Sequence, residues 1–158
     1  MQIRPLEEKD NPATAKMIRR IFDEHNAPRR GTVYSDPTTD GLFSVFQRPN
    51  SVFYIAESEN KIVGCCGIYP TPGLPKNCAE LVKFYISARA RGKGIGKELM
   101  QKSILAAKQF GYTQIYLESL PQFAKAVSIY EKQGFVKINT PMGNSGHSGC
   151  NIWMLKEL

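Results

Sequence analysis

A chain of 158 residues is the size of one domain with a sizeable core, and 42% hydrophobic with 22% charged residues is an ordinary globular composition. No run approaches the length of a membrane span, and Arg4, Glu7, Glu8, Lys9 and Asp10 stand where a signal peptide would need apolar residues, so a single cytoplasmic domain over 1–158 is expected. The formal net charge of +7 suits either a nucleic acid or an anionic cofactor; the basic residues are scattered and dense only over 89–97, with no aromatic-interleaved stripe, which argues against nucleic acid.

In chain order, Gln2 to Arg4 reads as a short strand. A helix follows from about Pro12 to His25, with Ala15, Ile18, Ile21 and Phe22 on one face, Asn11 as its cap and Pro12 as its first residue. Residues 27–37, rich in Pro, Gly, Arg and Ser, read as a loop, and 40–48 as a second helix carrying Leu42, Val45 and Phe46. Residues 51–57 and 62–69 are rich in β-formers and pair as a hairpin about Glu59-Asn60-Lys61. After a proline-rich loop, 79–87 forms the central strand. A helix over 94–110 buries a stripe of Leu99, Ser103, Ala106 and Phe110, and Gly111 ends it. A strand over 114–119, a helix over 122–133 stopped by Gly134, and antiparallel strands over 135–138 and 151–155 complete the sheet. Residues 140–149, with three glycines, form a long mobile loop that can border a substrate entrance.

The densest signal is Arg91-Gly92-Lys93-Gly94-Ile95-Gly96, between the central strand and the following helix. A helix start carries unpaired N–H donors and a partial positive charge, glycine lets a phosphate approach, and Arg91, Lys93 and Lys97 add charge. The spacing is neither a P-loop, since Gly96-Lys97 precedes Glu98, nor a dinucleotide fingerprint, since the sixth place from Gly92 is Lys97. A pyrophosphate cradle is expected here, with a plain tight turn as the alternative. Cys65, Cys66, Cys78 and Cys150 form no C-x-x-C pair, and His25 and His147 supply too few further ligands for zinc, so no metal is expected. Adjacent Cys65 and Cys66 are expected on opposite sheet faces as reduced thiols. A triad about His147 and Cys150 lacks a positioned acid.

Arg91-x-x-Gly94-x-Gly96 resembles the Arg/Gln-x-x-Gly-x-Gly/Ala signature of the GNAT N-acetyltransferase superfamily. Ala126-Val127-Ser128-Ile129-Tyr130-Glu131-Lys132-Gln133-Gly134-Phe135 resembles that family's late motif, in the same order along the chain. The resemblance implies an α/β fold, a mixed sheet flanked by helices, and an acetyl-CoA-dependent N-acetyltransferase acting by direct transfer. It implies that Arg91, Gly92, Lys93, Gly94, Ile95, Gly96 and Lys97 hold the diphosphate of coenzyme A. Tyr85, Ile86 and Ser87 match the strand end that pairs with the pantetheine arm, with the Ile86 N–H polarising the thioester carbonyl. Tyr130 matches the tyrosine that protonates the leaving thiolate; packing alone is its alternative.

Glu80 matches a family glutamate and is expected to share a face with Ile86, six residues on. It is the first candidate base, with a rim glutamate or a cation-binding role as alternatives and Glu118 as the other carboxylate. Phe123 departs from the family, which carries Asn there; Ser119 or Lys125 is the candidate substitute contact. The expected acceptor is a small primary amine. A protein lysine or N-terminal amine, and a non-catalytic acyl-CoA-binding module, remain open, as does monomer against homodimer.

Overall fold

A computed structural model describes residues 1–158. Its principal elements are β1 (Gln2–Pro5), α1 (Asn11–Glu24), α2 (Leu42–Val45), β2 (Val52–Ser58), β3 (Lys61–Tyr69), β4 (Cys78–Ile86), α3 (Ile95–Gln109), β5 (Gln114–Ser119), α4 (Ala124–Lys132), β6 (Val136–Ile138) and β7 (Ile152–Glu157). The seven strands form one sheet in the order β1-β2-β3-β4-β5-β7-β6. All neighbours are antiparallel except β4 and β5, which α3 joins as a parallel crossover. No helix is long and apolar enough to cross a membrane.

The sheet is covered on both faces. Ile18, Ile21 and Phe22 of α1 pack with Leu42, Phe53, Ile55 and Cys65 on one side. Leu99, Met100, Ile104 and Ala107 of α3 pack with Val127 and Tyr130 of α4 against Cys66, Ala79, Leu81 and Phe84 on the other. Cys65 and Cys66 therefore face opposite layers, as strand alternation requires, and all four cysteines are free thiols. The α3 stripe differs from expectation at one place: Phe110 caps the helix at the surface, while Met100, Ile104 and Ala107 are buried.

β4 does not alternate along its whole length. Cys65 pairs with Tyr85 and Gly67 with Val82, so Cys66 alone stands opposite both Lys83 and Phe84. That is a β-bulge, and Lys83, at its extra residue, takes the left-handed conformation, φ +54. Ala79 and Leu81 point to the α3 layer before it, Phe84 and Ile86 after it, and Tyr85 points toward α1. The expectation that Glu80 and Ile86 share a face is thereby overturned: one inserted residue reverses the parity between them.

Three boundaries also move. A 3-10 turn over Pro37–Asp40, capped by the Asp36 side chain on the Thr38 N–H, takes Asp40 from the expected second helix, which is confined to α2 and is capped at Phe46. Asn11 does not cap α1. The helix already includes it, and its side-chain oxygen accepts instead from the Phe43 N–H at 3.0 Å, tying α2 to α1. α4 begins at Ala124, because Pro121–Phe123 form a 3-10 turn.

Candidate active site

β4 and β5 pair only over Cys78–Gln114, Ala79–Ile115 and Glu80–Tyr116, and beyond that they part. β4 follows β3, β5 follows β7, and a cleft of about 650 Å³ opens between them. Glu80, Lys83, Tyr85, Ile86, Glu118, Phe123, Tyr130, His147 and Cys150 line it, with Arg91, Gly92, Gly94, Ile95, Gly96 and Lys97 at one end.

At that end Gly92 has φ +76 and Gly94 φ +80, the latter immediately before α3, whose start no side chain caps. The first-turn N–H groups of α3 therefore have no intrahelical acceptor. A Cβ on Gly94 would meet nothing within 4 Å, so the cradle is open. Gly96 has another reason to be glycine: a Cβ there would lie 3.2 Å from Cζ of Phe84, and its absence brings α3 down onto β4. Ile95 is buried, which leaves its backbone for the cradle.

The Arg91 side chain is committed to the scaffold. Its Nε donates to the Ile86 carbonyl at 3.0 Å and its Nη2 pairs with Glu24 at 3.3 Å. A residue's N–H and C=O leave an extended strand on the same side, so Ile86 turns its N–H away from β3 and toward the gap. Ser87 does not join the cleft wall. Its N–H donates to the Val63 carbonyl at 2.9 Å and its hydroxyl is buried without a partner. Lys93 is likewise outside the wall and exposed, whereas Lys97 borders it.

Tyr130 is 5% exposed, held between the rings of Phe84 at 5.6 Å and Phe135 at 5.9 Å, with its side chain on the cleft. Burial holds its phenol well above the ordinary tyrosine range, so it stays protonated. Phe123, where the resembling family carries Asn, packs on Phe22 at 5.1 Å, Tyr85 at 5.9 Å and His25 at 5.4 Å. An aromatic wall from α1, β4 and the α4 entrance thus spans the gap between the parted strands. Ser119 and Lys125 also border the cleft.

The other end is built from side chains that lie far apart in the chain. Glu80 is 3% exposed and accepts from the Thr71 hydroxyl at 2.7 Å. Burial pushes its carboxyl up to about 7, against the Thr71 bond and with help from the Glu118 charge. Glu118 accepts from the Tyr116 hydroxyl at 2.7 Å and from the Ser145 hydroxyl. Tyr116 in turn accepts from the Met142 N–H at 3.1 Å.

His147 Nε2 lies 2.8 Å from Asp36 Oδ2. Burial would raise the Asp36 carboxyl, but its bonds to Thr38 and His147 bring it below the usual range. The 139–151 loop is pinned, with the Asn144 N–H on the Pro72 carbonyl at 2.7 Å and the Gly149 N–H on that of Gly31 at 2.8 Å. Asp36 thus gives His147 an acid, but the bond joining His147 to Cys150 is a backbone one, the Cys150 N–H on the His147 carbonyl at 3.2 Å. Burial also pushes the Cys150 thiol up to about 12, so it is no thiolate nucleophile at neutral pH.

Thr71, Asp36 and Lys83 were not among the sequence candidates. Lys83 had a signal, a lone lysine within Leu81-Val82-Lys83-Phe84-Tyr85. Asp36 and Thr71 sit in loops with no local pattern that names them.

The model of the Acetyltransferase (GNAT) family matches residues 17–135. "Uncharacterized N-acetyltransferase YjgM" of Escherichia coli (strain K12) is 34% identical over 157 residues, 99% of this chain and 94% of that protein. An acetyltransferase of the GNAT family from Staphylococcus aureus Mu50 superposes with a TM-score of 0.87 at 22% identity, over 99% of this chain and 98% of that one. PaiA N-acetyltransferase from Thermoplasma acidophilum, solved in complex with coenzyme A, gives 0.75 at 20% identity, over 99% and 98%. At these identities the likeness of both structures to this chain is one of fold.

Proposed function

This chain belongs to the GNAT acetyltransferase family, and from that premise we propose that it moves the acetyl group of acetyl-CoA directly onto a primary amine of a small molecule. The observation that carries this function is the parting of β4 and β5 beyond Glu80 and Tyr116, ending at the uncapped start of α3. The residues present fit coenzyme A. Unspent N–H groups at a helix start suit its diphosphate, and the unpaired edge of β4 suits an amide-bearing arm. Acetyl-CoA supplies the acyl group as a thioester, already activated toward an amine.

The roles of the protein groups follow from their surroundings. The backbone of Gly92–Lys97 binds the diphosphate and Lys97 adds charge at its edge, while Arg91 fixes the turn by holding the Ile86 carbonyl. The strand end at Tyr85 and Ile86 orients the arm, and the Ile86 N–H donates toward the thioester carbonyl. Glu80, with its carboxyl near neutrality, takes the amine's proton directly or through a water. Tyr130, held protonated, gives a proton to the departing sulfur.

A panel of primary amines incubated with acetyl-CoA, following thiol release, tests this function. Release above the amine-free rate with at least one acceptor is the expected result. No release with any amine, together with no change in melting temperature on adding coenzyme A, would overturn it.

A further inference from the structure

Lys83 stands in the cleft without an ion-pair partner of its own. It sits at the bulge of β4 with φ +54, a conformation that costs a residue with a Cβ, and its half-buried side chain lines the acceptor end of the cleft. Burying an ammonium also has a desolvation cost. The neighbouring carboxylates do not pair with it directly. Asp36 is taken by His147 and Thr38, Glu80 by Thr71, and Glu118 by Tyr116 and Ser145. Lys83 forms none of the molecule's salt bridges.

We propose that Lys83 binds a carboxylate carried by the acceptor, so that the substrates are amines bearing an acid group, with α-amino acids the simplest members. The inference rests on the acetyl-transfer function above and narrows its acceptor. Glu80 and Lys83 lie three positions apart on β4, with Lys83 at the bulge, and both line the cleft. One end of a dipolar acceptor meets carboxylates and the other meets a single ammonium. One cation matches a monoanionic carboxylate; a phosphate dianion would want more donors than Lys83 supplies. The ε-amine of a protein lysine and a protein N-terminus carry no carboxylate beside the amine, so this chemistry favours a free small molecule. Burial draws the Lys83 ammonium below its ordinary range, and a bound carboxylate would hold it charged.

The test compares kcat/KM for matched pairs, an α-amino acid and the amine left by removing its carboxyl, in the native protein, in Lys83→Asn and in Lys83→Arg. Asn tolerates the left-handed backbone, and Arg keeps the charge. The native protein is expected to favour the acid-bearing member by about 10- to 100-fold, the range of one charge-assisted contact. Lys83→Asn should collapse that ratio through KM, and Lys83→Arg should restore part of it. Equal rates for the two members in the native protein would overturn the assignment. So would an equal loss for both members in Lys83→Asn, the result if Lys83 only balances Asp36 and Glu80 through space. If Lys83→Asn does not fold, the native pair ratio decides alone. Absence of turnover with every amine would remove the acetyl-transfer function itself, whereas turnover blind to the carboxylate would remove only the role of Lys83.

Discussion

The two ends of the cleft are made differently. The proposed cofactor end comes from one continuous stretch, β4 to α4, and offers backbone: parted strands, two left-handed glycines and a helix start. The acceptor end is assembled from loops around Asp36, Thr71 and residues 139–151, brought against Glu80, Lys83 and Glu118, and works through side chains. A backbone device is nearly blind to what the acceptor is, whereas a side-chain device decides it. Changes at the first end should therefore act alike on all acceptors, and changes at the second should alter acceptor choice and pH dependence.

The largest expected effect is that of Tyr130→Phe. It should lower kcat by about 1,000-fold for every amine while leaving thermal protection by coenzyme A intact. A loss that varied from one acceptor to another would break the contrast.

Glu80→Gln should lower kcat/KM by about 100-fold and abolish the rise of rate with pH through about 7, where the native carboxyl ionises. An unchanged profile would remove Glu80 as the base. The same change has a stability signature. The Glu80 carboxyl is raised from 4.5 to about 7, so between those values the folded protein keeps a proton that the unfolded chain has released. Stability is thus full below pH 4.5 and falls as pH rises through 7, by up to about 3 kcal/mol from this group. Glu80→Gln should melt higher than the native protein at pH 8 and show little difference at pH 4.

Gly94→Val forces a β-branched residue to φ +80 and should weaken coenzyme A by about 100-fold. With coenzyme A at 100 times its native dissociation constant, the stabilisation should fall from about 2.7 to about 0.4 kcal/mol, read as a lost melting shift. Cys150→Ser sharpens the contrast by its smallness. A thiol held protonated contributes no nucleophile, and rates should stay within about two-fold.

The arrangement of the glycine-turn end of the cleft was legible in the sequence because its parts are local. Strand, glycine turn, helix and the Tyr130 motif follow one another, and the structure sets them in that order around the cleft. The bulge was not legible. Apolar residues stand on both faces of β4, with Ala79, Leu81, Phe84 and Ile86 on one and Val82 and Tyr85 on the other, so an inserted residue leaves no gap in the pattern. The acceptor end was hidden for a further reason: Asp36 and His147 stand 111 positions apart, and only the tertiary fold makes them neighbours. The shortened helix after Asp40 shows the same limit, since Asp36 and Pro37 favour a 3-10 turn that hydrophobic periodicity does not report.

The single inserted residue at Lys83 puts β4 in two phases, one set by Ala79 and Leu81 and the other by Phe84 and Ile86. Deleting Lys83 would leave Cys66 opposite Phe84 alone and restore plain alternation, so Ala79, Leu81, Phe84 and Ile86 would all keep the α3 face. Tyr85 would still pair with Cys65 on the α1 side, and the Ile86 carbonyl would still face Arg91. What the extra residue contributes is thus not the core but the ammonium it carries to the wall of the cleft.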